Sequence, residues 1–294
     1  MTLLIGPEAE AMLTWGGITD AIAAGHRLPR AKIRDMLLHR GGDTLLNRAA
    51  WIDGLGQLVK VATVFPGNAP DRATVNGAVT LFDDKTGQLA AVVDFHLVTK
   101  WKTAGDSLLA ARRLARPDAK RILLVGAGTV AQSMVQAYGS AFPGAEFTVW
   151  SRSGGAGMGL PVANDLRAAV ERADIICCAT MATAPVVLGD WLQPGQHLDL
   201  IGAYTPAMRE VDDEAMARAR VFVDSRATTL HHIGELMEPL KSGAISEADI
   251  VADFYDDPAL FSRRSDDEIT IAKNGGGAHL DLMTADYIRR MWVS

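Results

Sequence analysis

Short apolar runs alternate with stretches of helical pattern through the second half of the chain. The runs have the length of strands and are apolar throughout, which is typical of strands buried on both faces of a parallel sheet. They lie at 121–125, 146–150, 174–180, 197–202, 220–224 and 269–273. Because parallel strands need a crossover connection, this alternation predicts an α/β domain, and the tail over 278–292 is predicted to be helical.

The first hundred residues have a mixed pattern that predicts both helices and strands. The predicted helices are 7–24 and 99–114, and the predicted strands include 58–65, 73–82 and 88–94. The turn-forming sequence Asp83-Asp-Lys-Thr-Gly87 indicates a hairpin between the last two strands. Arg116-Pro117-Asp118 marks a boundary after the long helix, because proline stops a helix.

The strand at 121–125 runs directly into Gly126-x-Gly128-x-x-Ala131. Glycines here let the backbone turn sharply and approach a pyrophosphate, and the small Ala131 lets the next helix pack closely on the strand. The N–H groups that open that helix would bind the phosphates. The motif predicts a Rossmann-type dinucleotide site. Its candidate residues, with others that follow later strands, are Gly126, Gly128, Thr129, Val130, Ala131, Ser151, Arg152, Ser153, Ala179, Thr180, Asn274 and Gly275.

The choice between the two nicotinamide cofactors depends on Ser151-Arg152-Ser153, after the second strand of the motif. An acidic residue there would bind the ribose hydroxyls of NAD(H), whereas a guanidinium flanked by hydroxyls suits the 2′-phosphate of NADP(H). We therefore predict NADP(H) as the favoured cofactor. The alternative is NAD(H), with Arg152 as a solvated loop residue or stacked on the adenine.

Composition narrows the class of protein. The net charge of −6 disfavours nucleic acid and anionic membranes as partners, and no apolar run approaches the ~20 residues that span a bilayer. The N-terminal residues lack the pattern of a signal peptide. Cys177 and Cys178 are adjacent in a predicted strand and point to opposite faces, so we expect no disulfide and a cytoplasmic location. His231-His232 has no third ligand at a suitable spacing, so no metal is expected.

Lys60 is unusual because it lies inside an apolar strand. Such an ammonium has to be paired, face a cleft or have a lowered pKa, and it could bind a carboxylate or exchange a proton with an imine. The pattern leaves open the alternative of an edge-strand lysine that reaches water. Arg30 precedes a predicted strand, and Lys102-Thr103 opens the predicted long helix, where a cation opposes the helix dipole and so indicates an anionic ligand.

Several of these segments resemble the ornithine cyclodeaminase/μ-crystallin family. They are Lys60-Val-Ala-Thr-Val-Phe-Pro-Gly-Asn68, Leu81-Phe-Asp with Thr86-Gly87, Thr99-x-x-Lys-Thr-Ala104, Gly126-Ala-Gly128 and Lys273-Asn-Gly-Gly-Gly-Ala-His-Leu-Asp281. The resemblance covers nearly the whole chain. It implies a substrate and dimerisation domain at 1–115, to which 278–294 returns, an NAD(P)-binding Rossmann domain at 116–277, and a homodimer that binds a small imino or amino acid.

Residue by residue, the resemblance implies that Lys60 is the active-site lysine and that Arg30 binds the substrate carboxylate, with Lys32 and Arg34 as close competitors. Lys102, followed by Thr103, stands where the family has a second carboxylate-binding arginine. A lysine keeps the positive charge but loses the planar two-pronged grip. Asp281 is a weaker candidate near the cofactor.

Two departures from ornithine cyclodeaminases decide which reaction we expect. The chain has Tyr204 where those enzymes have an aspartate that binds the side-chain amine, and Leu46 where they have a glutamate. Reduction of a preformed imine needs fewer proton-handling groups, so we expect an NAD(P)H-dependent reductase of a cyclic ketimine such as Δ1-pyrroline-2-carboxylate. The alternatives are ornithine cyclodeamination, alanine-dehydrogenase-like reductive amination, and an NADPH-dependent crystallin-like binder without turnover.

Overall fold

The computed structural model describes residues 1–69, 71–154 and 157–294. The chain forms two compact units, one made of Met1–Gly105 and Gly277–Ser294 and the other of Asp106–Gly276. We call them the first and the second unit. The division falls inside the helix Phe95–Leu114, which therefore contributes residues to both.

The strands and helices are as follows. The strands are β1 (Leu3–Ile5), β2 (Lys32–Arg40), β3 (Asp43–Ile52), β4 (Gly56–Val64), β5 (Val75–Phe82), β6 (Leu89–Asp94), β7 (Arg121–Val125), β8 (Glu146–Trp150), β9 (Ile175–Cys178), β10 (His197–Leu200), β11 (Arg220–Val223), β12 (Ile250–Ala252) and β13 (Thr270–Lys273). The α-helices are α1 (Trp15–Gly25), α2 (Phe95–Leu114), α3 (Thr129–Ala141), α4 (Leu166–Arg172), α5 (Asp213–Arg218), α6 (Arg226–Thr229), α7 (Gly234–Ser242) and α8 (Ala278–Val293).

The first unit contains a six-stranded sheet in the order β1-β6-β5-β4-β3-β2. Its strands pair antiparallel except β1 with β6. Along β4 every second side chain is buried, so Leu58, Lys60 and Ala62 point into the core while their neighbours are partly exposed. The C-terminal helix α8 packs over β3 and β4 and against α1. Lys60 thus occupies a position of the core face.

The second unit contains a seven-stranded sheet in the order β12-β11-β13-β10-β9-β7-β8, and every neighbouring pair is parallel. Residues of β9 and β10 are buried throughout, as expected for strands covered on both faces. The predicted α/β fold class with a Rossmann-type sheet is confirmed. Among the described residues, no helix is both long and apolar enough to cross a bilayer.

The helix boundaries differ from the prediction at two places that matter for function. The predicted helix at 7–24 is a 3₁₀ helix over Pro7–Met12 followed by α1, because Thr14 interrupts it and caps α1 by accepting a hydrogen bond from the Gly17 N–H. The long helix α2 begins at Phe95 rather than Thr99, with the Asp94 carboxylate accepting from the Leu97 N–H. The short strands β1 and β12 were not predicted, since three residues carry too little pattern.

Candidate functional site

Lys60 is a buried cation with a complete set of partners. It is 5% exposed, and its Nζ donates to Asp281 Oδ1 at 2.9 Å and to Thr99 Oγ1 at 2.8 Å. The ammonium also lies 4.5 Å from the centroid of the Phe95 ring, at cation–π distance. The interpretation of Lys60 as an edge-strand lysine is wrong, because β4 is an interior strand and the side chain points into the core.

The charges around Lys60 act on one another. Burial lowers the pKa of Lys60, Asp281 partly offsets this effect, and the nearby cations Lys102 and Arg48 lower it further. Burial by itself would raise the pKa of Asp281, but Lys60 and Lys102 outweigh it and hold that pKa below its ordinary value. Burial also lowers the pKa of His279 well below its ordinary value, so this neighbour is neutral at pH 7. The site therefore holds an ion pair whose ammonium gives up its proton more readily than a solvated lysine.

Asp281 comes to Lys60 from the opposite end of the chain. It lies in the first turn of α8 and is fully buried. The sequence indicated it only as a weaker candidate near the cofactor, whereas the structure places its carboxylate on Lys60. Thr99 accepts from Lys60 and donates to the Phe95 carbonyl at 2.8 Å. The sequence did not indicate Thr99 as a partner of Lys60.

Arg48 was also missed as a neighbour of Lys60. The β3–β4 register places Arg48 opposite Lys60, and residues opposed in this way point to the same face of the sheet. Burial acts to lower the pKa of Arg48, and its bonds to Asp35 more than offset that effect, so the guanidinium is charged. The signal was available in the sequence, since a hairpin turn at 53–55 sets the pairing of 48 with 60.

Lys102 and Thr103 are half-buried in the interior of α2. The helix-dipole argument for Lys102 is wrong, because the helix begins seven residues earlier and the dipole acts mainly in the first turn. Lys102 nonetheless acts on both Lys60 and Asp281 through its charge. Among the described residues, no carboxylate lies within ion-pair distance of Lys102.

The three competing cations before and within β2 are separated by the sheet register. Lys32 and Arg34 pair with Trp51 and Ala49, which alternate with Arg48 and so point to the face opposite Lys60. Arg30 lies in the loop before β2 and is exposed. The register therefore disfavours Lys32 and Arg34 as partners of a ligand at Lys60.

In the second unit, the Gly126 turn has the geometry that a dinucleotide motif requires. Gly126 has φ +114, and a Cβ there would lie 2.4 Å from the Ala179 carbonyl oxygen, so only glycine fits. Gly128 opens α3, where no side chain of the described residues caps the helix and a Cβ would meet open space. Thr129 and Val130 follow in the first turn and Ala131 is buried behind them. These residues fit the pyrophosphate of a nicotinamide dinucleotide.

The loop after β8 is where the adenosine ribose would bind. Arg152 and Ser153 are exposed and Ser151 is half-buried, with the two serine hydroxyls 3.2 Å apart. The loop thus offers a guanidinium and two hydroxyls at the surface.

The remaining cofactor candidates are held by a network of buried acids at the carboxyl ends of β9, β10 and β13. Glu210 accepts from the N–H and hydroxyl of Thr180 and from the N–H groups of Gly202 and Ala203. Asp224 accepts from the N–H of Gly275 and of its neighbour Gly276.

These bonds fix the loops that follow the strands, so their backbone donors are not free to bind a ligand. Ala179 and Thr180 are half-buried, and the Ala179 N–H already bonds to Val125. Asn274 is 5% exposed, and its amide oxygen accepts from the Ser107 hydroxyl at 3.3 Å.

Tyr204 and Leu46 are the two positions at which the sequence departs from the ornithine cyclodeaminases. Tyr204 follows β10 and is 59% exposed, and Leu46 lies half-buried in β3 on the same face as Lys60.

His231 is at the surface near Glu247. Within the part of the chain that the structure describes, no group of three His, Cys, Asp or Glu side chains converges as a metal site would.

The chain is similar to several known proteins. The model of the ornithine cyclodeaminase/mu-crystallin family matches residues 54–294. The Delta(1)-pyrroline-2-carboxylate reductase of Paracoccus denitrificans is 51% identical over 299 residues, which cover 97% of this chain and 95% of that protein. The ketimine reductase mu-crystallin of Rattus norvegicus is 31% identical over 244 residues, covering 80% of this chain and 76% of that protein.

Among solved structures, the Delta(1)-pyrroline-2-carboxylate reductase of Thermococcus litoralis in complex with NADH and L-proline superposes with a TM-score of 0.88. It is 25% identical and covers 99% of this chain and 98% of its own.

Proposed function

The chain belongs to the ornithine cyclodeaminase/mu-crystallin family, and we propose that it is an NAD(P)H-dependent reductase of small cyclic 2-imino acids. Reduction of Δ1-pyrroline-2-carboxylate to L-proline is the reaction that fits best. The observation that carries the proposal is the buried Lys60–Asp281 pair beside Lys102, which has no carboxylate within ion-pair distance among the described residues. The 51% identity to a reductase of this substrate supports it.

In this proposal, the first unit binds the substrate through its carboxylate. Lys102 lacks a carboxylate partner among the described residues, so an anionic ligand would neutralise it at little cost. Arg30 is exposed in the loop before β2 and supplies a second cation. Thr103 lies one helical turn after Thr99, whose hydroxyl accepts from Lys60, and adds a hydroxyl that can donate to the same carboxylate.

Lys60 would supply the proton in the reduction. The ring nitrogen of the imine accepts a proton while its carbon accepts a hydride, so the product is a secondary amine and solvent restores the proton to Lys60. The lowered pKa of Lys60 favours this transfer, and Asp281 and Thr99 fix the direction in which the ammonium points. Asp281 remains ionised and stabilises the ammonium between turnovers.

The second unit would hold the cofactor. NAD(P)H, when bound, supplies the hydride. Gly126 lets the backbone approach the pyrophosphate, and the first turn of α3 offers its N–H groups. We propose a preference for NADP(H), supported by Ser151, Arg152 and Ser153 at the loop after β8.

We propose that the protein forms a homodimer through β2. This strand is at the edge of the sheet, and Met36, Leu37 and Leu38 along it are each more than half exposed. An unpaired edge that carries apolar side chains favours association with a second copy. Leu38→Glu should convert the dimer into monomers in sedimentation, and a monomeric parent protein would contradict the proposal.

The buried free cysteines Cys177 and Cys178 suit a reducing compartment, so we place the protein in the cytoplasm.

The proposed function is tested by consumption of NADPH and NADH with five- and six-membered ketimine carboxylates. We expect oxidation of NADPH with Δ1-pyrroline-2-carboxylate and formation of L-proline. Parallel incubations with L-ornithine and NAD⁺, and with pyruvate, ammonia and NADH, test cyclodeamination and reductive amination. Ammonia release from ornithine without reduction of any imine would overturn the assignment, and so would cofactor binding without turnover on every substrate.

A further inference from the structure

Arg48 is a second cation on the Lys60 face of the first unit's sheet. It lies opposite Lys60 in the β3–β4 register, which brings the two Cβ atoms to about 5 Å. The Arg48 side chain is 27% exposed, whereas that of Lys60 is 7% exposed. Arg48 therefore lies beside the candidate catalytic lysine and is still accessible to a ligand.

Asp35 fixes the orientation of the Arg48 guanidinium. It is opposite Arg48 in the β2–β3 register, and its Oδ2 accepts from Nε at 3.1 Å and from Nη2 at 2.6 Å. One edge of the planar guanidinium is thus held by the protein. Among the described residues, none accepts a hydrogen bond from Nη1, so the other edge keeps donors for a ligand.

The charges of this cluster do not balance. Three cations, Lys60, Arg48 and Lys102, stand against two carboxylates, Asp281 and Asp35. Asp281 forms an ion pair with Lys60 and Asp35 forms one with Arg48, so the five groups together carry one net positive charge. A ligand with a single carboxylate would complete the cluster.

We propose that Arg48 is a substrate-binding residue that holds the carboxylate of the imino acid, and that Asp35 is the residue that positions it. This assignment rests on the proposed function. Lys102 is a flexible point charge, which attracts an anion without fixing its plane, whereas a guanidinium held at one edge binds a carboxylate in a defined orientation. Arg48 would thereby set the angle at which the ring nitrogen meets Lys60.

The test compares ligands with and without the negative charge. Calorimetry gives the Kd of pyrrole-2-carboxylate and of pyrrole-2-carboxamide, flat five-membered rings that resemble the imine. For Arg48→Met we expect the preference for carboxylate over carboxamide to fall about tenfold or more, with the KM for Δ1-pyrroline-2-carboxylate rising by a similar factor. The KM for NADPH should stay unchanged, which reports an intact fold.

Three further variants sharpen the result. Arg48→Lys keeps the charge and should restore part of the preference, and Asp35→Asn should cause an intermediate loss because the guanidinium is no longer held. The matched control is Arg40→Met, which removes an ion pair to Asp43 on the same two strands but on the other face. It should leave the preference for carboxylate unchanged.

The outcomes separate this assignment from the proposed function. An unchanged preference in Arg48→Met, in an enzyme that reduces the imine, overturns the role of Arg48 and leaves the function standing. A parent protein that binds the carboxylate through Arg48 but reduces no imine supports the site and overturns the function. A parent protein that neither binds the carboxylate nor reduces the imine overturns both. If Arg48→Met does not fold, unchanged preferences in both Arg48→Lys and Asp35→Asn overturn the role.

Discussion

At the scale of single residues, the site depends on an ammonium in a position that the strand pattern reserves for an apolar side chain. Removing such a charge from water costs several kcal/mol unless partners replace the water. Asp281, Thr99 and the Phe95 ring supply those partners for Lys60. These three contacts offset part of the cost of burying the ammonium, although burial still lowers the pKa of Lys60.

Lys60→Met should abolish turnover and spare cofactor binding. Loss of a positioned proton donor lowers rates by about 10²–10⁴-fold, and here the unpaired Asp281 carboxylate would add a loss of stability. Steady-state kinetics with the ketimine, together with NADPH titration followed by fluorescence, check both parts. Turnover close to that of the parent protein would rule out the proton-donor role.

Arg152→Ala should weaken NADPH selectively. A surface guanidinium that binds a phosphate contributes about 1.5–3 kcal/mol through charge-assisted hydrogen bonds, so the KM for NADPH should rise about tenfold or more. The KM for NADH, which has no 2′-phosphate, should change little. Equal effects on the two cofactors would show that Arg152 does not select the phosphate.

At the scale of elements, the β7–α3 turn depends on a glycine that no other residue can replace. Gly126 combines a left-handed φ of +114 with a carbonyl 2.4 Å from where a Cβ would lie. Gly128, the second glycine of the same motif, has an ordinary negative φ, and a Cβ there would meet open space. The backbone itself therefore requires glycine at position 126 but not at position 128, where we propose that a glycine leaves room for the pyrophosphate.

Gly126→Ala and Gly128→Ala should separate stability from cofactor binding. Gly126→Ala should destabilise the protein by about 1–3 kcal/mol, the range for backbone strain at one residue. Gly128→Ala should leave the unfolding midpoint nearly unchanged and weaken NADPH binding, since the added methyl group stands where the pyrophosphate would approach. Urea denaturation and NADPH titration measure the two effects, and equal losses of stability would contradict the distinction.

At the scale of the whole molecule, buried acids make stability depend on pH. Burial and the neighbouring Glu210 raise the pKa of Glu235 to about 7, and burial raises the pKa of Asp224 to about 6. Between the ordinary pKa of an acid and its raised value, the folded state binds more protons than the unfolded state. These acids therefore reduce the free energy of unfolding as the pH rises through that window.

Glu235→Gln should remove part of this pH dependence. From pH 4.5 to about 7 the parent protein should lose stability relative to the variant, by on the order of 3 kcal/mol for a shift of this size. Denaturant unfolding of both proteins at several pH values gives the difference directly. A parallel pH dependence of the two proteins would contradict the raised pKa.

The sequence by itself determined the fold class, the family and the dinucleotide turn, because these depend on local pattern and on residue types at fixed spacing. Alternating apolar runs and helices require a parallel sheet, and a turn like that at Gly126 requires glycine wherever it occurs. Lys60 was identified for the same reason, since one ammonium in an apolar strand breaks a local rule.

Only the tertiary structure decided which charges meet. Asp281 contacts Lys60 across 221 positions of the chain, and no local pattern specifies a pairing at that distance. The helix α2 begins at Phe95, where the Asp94 carboxylate accepts from the Leu97 N–H, and the pattern of apolar residues did not indicate this start. Because α2 begins there, Lys102 lies in the helix interior and the prediction based on the helix dipole fails. Register separated Lys32 and Arg34 from Arg48, because neighbouring residues of a strand share composition but face opposite sides of the sheet.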